Sequence, residues 1–178
     1  MADLEDVRGQ YKFKVTVLNG KTYKQAWGWL GMPDQVQTHR SSSAQKGVAG
    51  GSGDDAGHLI GNRFGSPGGA DNLSLQNWKQ NRYGTYKDLE NAWAAKRLTG
   101  IDIWVQVTDI SRPGELRPFM RNVQWKERRN GIDAPFEVDF ANPHTPESRD
   151  KQNIPPTNVG GAGGELIPVD FQLRRRIT

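Results

Sequence analysis

The segment DDAGHLIGNRFGSPGGADNLSLQNWKQN, residues 54 to 81, gathers side chains suited to proton and cation chemistry. With three histidines and no cysteine in 178 residues, few groups in this chain can exchange a proton near neutral pH. His58 stands between Gly57 and Leu59, just after Asp54 and Asp55, and Asn62, Asn72, Gln76, Asn77, Gln80 and Asn81 follow. An imidazole acting as a base needs a partner for its second ring nitrogen, which fixes tautomer and orientation. Amide and carboxylate oxygens suit hard cations such as magnesium or manganese, which keep much of their water shell. Glu90, on the flank of a helical apolar stripe, has the chemistry to order one such water. The plainer reading of the same residues is a polar glycine-rich loop followed by a capped helix.

The elements that must position these groups are partly legible. Tyr11, Phe13, Val15 and Val17 alternate, as do Tyr23, Gln25, Trp27 and Trp29. The Asn19-Gly20 pair between them predicts a hairpin over residues 11 to 30. From Gln35 to Asn72 periodicity disappears, and residues 47 to 69 contain nine glycines, which predicts a linker or one long loop. In GTYKDLENAWAAKRLTG, Thr85 and Asp88 have the spacing of an amino-terminal cap. Tyr86, Leu89 and Trp93 then share a helical face, and Gly100 marks the stop. Ile101, Ile103, Val105 and Val107 alternate as a strand, and residues 119 to 140 read as a second hairpin turning at Asn130-Gly131. The order predicts an α+β fold with a mainly antiparallel sheet. Past Phe140 the chain is polar and rich in proline and glycine. The division is therefore a domain over residues 1 to 140 and an arm over 141 to 178 that either extends from that domain or packs on it, with ELIPVDFQL as a candidate edge strand.

Composition narrows the function classes. Absence of cysteine removes disulfides, zinc–thiolate sites, iron–sulfur clusters and thiol nucleophiles. A formal net charge of +4 favours a polyanionic partner, weakly. MADLEDVRGQ is acidic and lacks an apolar core, so no secretory signal is expected, and no apolar run has the length of a membrane span. Export would need a signal-independent route or a longer parent chain. For Trp27, Trp29 and Trp93 the periodicities predict core packing, against a base-stacking alternative. Lys126, Arg128 and Arg129 suit a phosphate-contacting edge or a solvated hairpin equally. His39 reads as a solvated loop residue and His144 as a tail residue, while Arg174 to Arg176 either follow nucleic acid electrostatically or keep the tail soluble.

The spacing of the catalytic candidates adds a resemblance. Asp55-Ala56-Gly57-His58, then Asn72, Gln76 and Asn81 in an N-x-x-x-Q-x-x-x-x-N frame, then Leu89-Glu90, resemble the non-specific DNA/RNA endonucleases of the His-Me finger (ββα-metal) class. That family carries D-R-G-H in the first position, so Ala56 replaces an arginine. The wider string looks closest to the nuclease domains of bacterial polymorphic toxins. The resemblance spans residues 54 to 93, within a catalytic core of about 54 to 98.

The resemblance implies a ββα-metal core and a metal-dependent, sequence-nonspecific endonuclease of DNA, with RNA the second choice. It makes His58 the general base, aimed by a backbone carbonyl or by Asp55. It makes Asn81 the direct ligand of one Mg2+ or Mn2+ ion, with Glu90 acting through a water and Asn72 and Gln76 bracing from behind. Arg63, Arg82 and Arg40 are candidates for the missing cation at the substrate phosphate. A toxin role further implies a cognate immunity protein and action in a target cell. The alternative from another class is a non-catalytic nucleic-acid- or partner-binding module on a decayed nuclease scaffold.

Overall fold

The computed structural model describes residues 7–34, 41–49 and 53–142. Five antiparallel strands form the main sheet: β1 (Lys12–Leu18), β2 (Lys21–Trp29), β5 (Asp102–Ser111), β6 (Met120–Arg129) and β7 (Ile132–Ala141), in the order β1-β2-β5-β6-β7. Both predicted hairpins form at their Asn-Gly turns. Asn19 and Gly20 have φ of 51° and 79°, and Asn130 and Gly131 have 51° and 75°. Two successive positive φ values give the turn whose twist matches the flanking strands, and Asn-Gly adopts it at low cost.

One face of the sheet is the core. Ala26, Val107, Val123 and Val138 lie in one cross-strand row, all buried. Against this face lies α3 (Thr85–Leu98), which contributes Tyr86, Trp93 and Ala94. Trp93 meets Phe64, Tyr86 and Trp125 edge-on, with ring centroids 6.5, 6.3 and 5.7 Å away. A buried aromatic at such a junction is worth about 3–5 kcal/mol against alanine.

Trp27 departs from the core expectation, and Trp29 is buried as expected but on the other face of the sheet. Their register puts them with Gln25, Gln106 and Trp104 on the opposite face, and neither joins the core cluster. Lys126 and Arg128 stand over the Trp29 ring at 5.4 and 4.5 Å, and Lys126 over Trp104 at 5.7 Å. Both cations also pair with Asp133 across the hairpin. Their charges are engaged within the fold.

The glycine-rich region is not one loop. It holds α1 (Ser42–Ala49), β3 (Asp55–His58) and two single 3-10 turns, Asn62–Phe64 and Ala70–Asn72. β3 pairs antiparallel with β4 (Leu73–Gln76), and α2 (Trp78–Tyr83) follows directly. The strands were hidden because Gly57 interrupts the alternation of a four-residue strand, too short to carry a period. The predicted cap of α3 also differs. Gly84 is the N-cap residue and no side chain caps it, while the Thr85 hydroxyl is buried without a hydrogen-bond partner. At the other end Gly100, with φ of 89°, donates its N–H to the Arg97 carbonyl as expected for a helix stop. No described helix is long and apolar enough to cross a membrane. His39, Arg40, His144, the proline- and glycine-rich arm, the ELIPVDFQL strand and Arg174 to Arg176 lie outside the described residues.

Candidate active site

β3, β4 and α2 form a small ββα unit, and α3 continues from it onto the core. His58 ends β3, Asn81 lies on α2 and Glu90 on the second turn of α3. All three line one open cleft of about 750 Å³, with Asp54, Asp55, Ala56 and Arg63. Residues spread over 33 positions, from His58 to Glu90, are thus brought to one cleft by β3, α2 and α3. α1 adds Ser42, Gln45 and Lys46 to the rim, a contribution that the sequence did not signal.

Two glycines make the wall possible. A Cβ on Gly57 would fall 2.0 Å from Gln76 Oε1 and 2.9 Å from Asn81 Oδ1. The carboxamides of Gln76 and Asn81 therefore lie directly against the β3 backbone. A Cβ on Gly61 would fall 2.5 Å from Glu90 Oε1. The backbone approaches both candidate metal-site side chains so closely that any Cβ at these positions would displace their oxygen-bearing ends.

Asn72 is fully buried and acts as a knot. Its Oδ1 accepts the Ile60 N–H at 3.0 Å, while its Nδ2 donates to the carbonyls of Ile60 and Pro67 and to Ser66 Oγ. It closes the connection between β3 and β4 rather than facing the cleft. Gln76 is buried beneath Gly57, also off the cleft wall. Asp55 engages two partners: Arg82 forks onto both carboxylate oxygens at 2.7 and 2.8 Å, and Asn81 Nδ2 donates at 3.1 Å. Asp55 thereby orients the Asn81 carboxamide and leaves its oxygen as the free end for an electrophile.

Glu90 is buried, and burial pushes its carboxyl above the ordinary value. The charges of Lys87, Arg121 and Arg63 and the Gly61 N–H act in the opposite sense. Lys87 approaches to 3.9 Å. Of the candidate phosphate cations, Arg63 reaches Asn91 at 2.7 Å and Asp34 at 3.0 Å on the cleft lip, and Arg82 stands beside Ala56 through its pairing with Asp55. Lys46 and Lys87 complete four cations along the cleft.

Among the described residues, no three His, Cys, Asp or Glu side chains gather as a metal cage. The donor set is instead one amide oxygen and one buried carboxylate held against glycine backbone. That set fits a single hard cation that keeps most of its waters, and it does not fit a dehydrated soft metal.

A second layer of residues was missed from the sequence. Arg121, fully buried on β6, forks onto Asp109 of β5 at 2.7 and 2.8 Å and donates to the His58 carbonyl at 3.0 Å. Tyr86 donates its hydroxyl to the Leu59 carbonyl, and Arg121 stacks over its ring at 4.7 Å. Arg117 forks onto the buried Asp54 at 2.7 and 3.1 Å, tying the start of β3 to the β5–β6 connection. The signal for the first pair was present: Asp109 continues the apolar alternation of Ile103, Val105 and Val107, and Arg121 that of Val123 and Trp125. Opposite charges on two apolar faces point at each other, and the register pairs them directly.

An α+β fold with a ββα unit opening onto a cation-lined cleft is the setting in which the comparisons fall. A family model for DNA/RNA non-specific endonucleases matches residues 7–129, and the chain belongs to that family. No match to a curated protein was found. Three solved structures are similar in fold. One, described as Sda1 nuclease with bound zinc ion, is 15% identical with a TM-score of 0.49, over 89% of this chain and 81% of that one. An extracellular nuclease is 17% identical with a TM-score of 0.43, over 90% and 97%. An extracellular endonuclease is also 17% identical with a TM-score of 0.43, over 90% and 89%.

Proposed function

We propose that this endonuclease hydrolyses phosphodiester bonds without sequence preference, with DNA as the main substrate and RNA the second, and that it requires one divalent cation. The observation that carries the reading is the convergence of His58, Asn81 and Glu90 from β3, α2 and α3 on one cleft rimmed by Lys46, Arg63, Arg82 and Lys87. Four cations along an open cleft suit a polyanionic backbone, which carries no base identity.

In this reading His58 takes the proton of the attacking water. Asn81 presents its carboxamide oxygen as the direct ligand, held in place by Asp55. Glu90 orients a water at the same centre, and Asn72 and Gln76 fix the backbone and amides behind it. A bound Mg2+ or Mn2+ ion would supply the Lewis acid beside the scissile phosphate and the leaving oxygen. Arg82 stands where the D-A-G-H motif lacks its arginine, and it takes over the contact to the substrate phosphate.

The likeness of the motif to polymorphic-toxin nucleases supports a role as an antibacterial toxin domain. That role brings a cognate immunity protein that covers the cleft, export by a signal-independent route or within a larger toxin, and action in a target cell. The test is nicking of supercoiled plasmid by the purified protein across a panel of divalent ions. Nicking with magnesium or manganese that stops on chelation supports the reading. Intact plasmid under every ion, with DNA binding retained, removes the hydrolytic function and favours a binding module.

A further inference from the structure

His58 sits on a four-residue strand, and its ring must be held still to act as a base. A charged row on the main sheet reaches the His58 backbone. Lys24, Asp109 and Arg121 occupy one cross-strand line of β2, β5 and β6. Asp109 and Arg121 are buried beside the apolar residues of the core face, and Lys24 is half-buried beside them. Asp109 holds Arg121 by two hydrogen bonds. The row also reaches the ββα unit and the 3-10 turn before β4. Arg121 Nη1 donates to the His58 carbonyl at 3.0 Å, and Lys24 Nζ donates to the carbonyls of Leu73 and Ala70 at 2.5 and 2.7 Å. His58 and Leu73 are register partners across β3 and β4, so the row grips both carbonyls of that pair. Tyr86 adds the next carbonyl, that of Leu59.

We propose that Arg121 is a positioning residue for hydrolysis, and that the Lys24–Asp109–Arg121 row locks the His58–Leu73 pair onto the rigid sheet. The inference rests on His58 being the general base. A purely structural salt bridge would need only Arg121 and Asp109. Here the fork is oriented so that its third nitrogen reaches the residue that carries the base. Lysine cannot replace it, because an ammonium is a point donor without the planar fork that serves two partners in fixed directions.

The test compares wild type, Arg121→Lys, Asp109→Asn and His58→Ala. It reads kcat and KM for duplex hydrolysis, thermal melting, and the ring carbon–proton resonances of His58 in metal-free protein. With three histidines in the chain, the His58 resonances are assigned by their loss in His58→Ala. The expected result for Arg121→Lys is a fall in kcat of about 10- to 100-fold with KM changed by less than about threefold. The His58 ring resonances should shift and broaden in a protein that still melts cooperatively. Asp109→Asn, which keeps one acceptor oxygen for the guanidinium, should show the same pattern at smaller size, and it carries the test if Arg121→Lys does not fold. Unchanged kcat and unmoved His58 resonances in a folded variant overturn the positioning role. Full activity in His58→Ala would instead overturn the reading on which it rests, so the two failures are distinct.

Discussion

Gly57→Ala separates the architecture of the site from the stability of the fold. The new methyl carbon lands 2.0 Å from Gln76 Oε1 and 2.9 Å from Asn81 Oδ1, whereas ordinary contact begins at 3.4 Å. Gln76 must therefore retreat by about 1.4 Å and Asn81 by about 0.5 Å. Gln76 Cβ also lies 3.0 Å away and must give by a few tenths of an ångström, so β4 shifts slightly while the backbone of β3 need not break. Overpacking costs about 1–3 kcal/mol, and replacing glycine by alanine inside a strand returns about 0.5–1 kcal/mol. The net loss is about 2 kcal/mol or less, a fall in melting temperature of no more than about 8 °C in a chain of this size. Activity responds differently. A 1 Å misplacement costs about 100-fold, so a shift of about 0.5 Å in Asn81, the proposed cation ligand, costs about 10-fold. The assay is plasmid nicking under saturating magnesium, with melting followed on the same preparation. Nicking within about threefold of wild type would refute the claim that Gly57 exists to seat these two amides against β3.

Asn81→Asp keeps an oxygen ligand but loses the N–H given to Asp55, so it should retain more nicking activity than Asn81→Ala while falling below wild type; full activity in both would remove Asn81 from the cation. Burial holds the Glu90 carboxyl above its ordinary value, so the folded protein keeps that proton over a pH range where the unfolded chain has lost it. Stability from Glu90 is thus present below the unfolded value and declines as pH rises through the folded one. Glu90→Gln should therefore melt higher than wild type in metal-free protein near neutral pH, while nicking more slowly, and an equal or lower melt contradicts the burial argument. Arg82→Ala should weaken duplex binding and reduce the slope of log affinity against log salt by about one, the share of a single phosphate contact. An unchanged slope would exclude Arg82 as the replacement for the motif arginine.

Much of the main sheet was legible because its signals are local. Asn-Gly turns dictate hairpins through backbone φ alone, and Ile103, Val105 and Val107 advertise a strand by their alternation. Spacing picked out residues that the structure gathers: His58, Asn81 and Glu90 lie along one cleft, with Arg63 and Arg82 also lining it. What the sequence concealed depends on tertiary contact. β3 is too short for a period, and Gly57, which seemed a loop residue, is a strand residue pressed against Gln76 and Asn81. The Thr85 cap failed because Gly84 already occupies the N-cap position. Trp27 and Trp29 follow the strand period faithfully, but the period does not say which face is the core. Asp109 and Arg121 were visible as charges on apolar faces, and only the register makes them partners.

The central claim is that His58 is the base in phosphodiester hydrolysis at this cleft. It is tested most directly by single-turnover cleavage of a labelled DNA duplex with magnesium, comparing wild type with His58→Ala at matched circular dichroism and melting. The account predicts a loss of about 10²- to 10⁴-fold in the cleavage rate with duplex affinity unchanged. Cleavage by His58→Ala at the wild-type rate would contradict it.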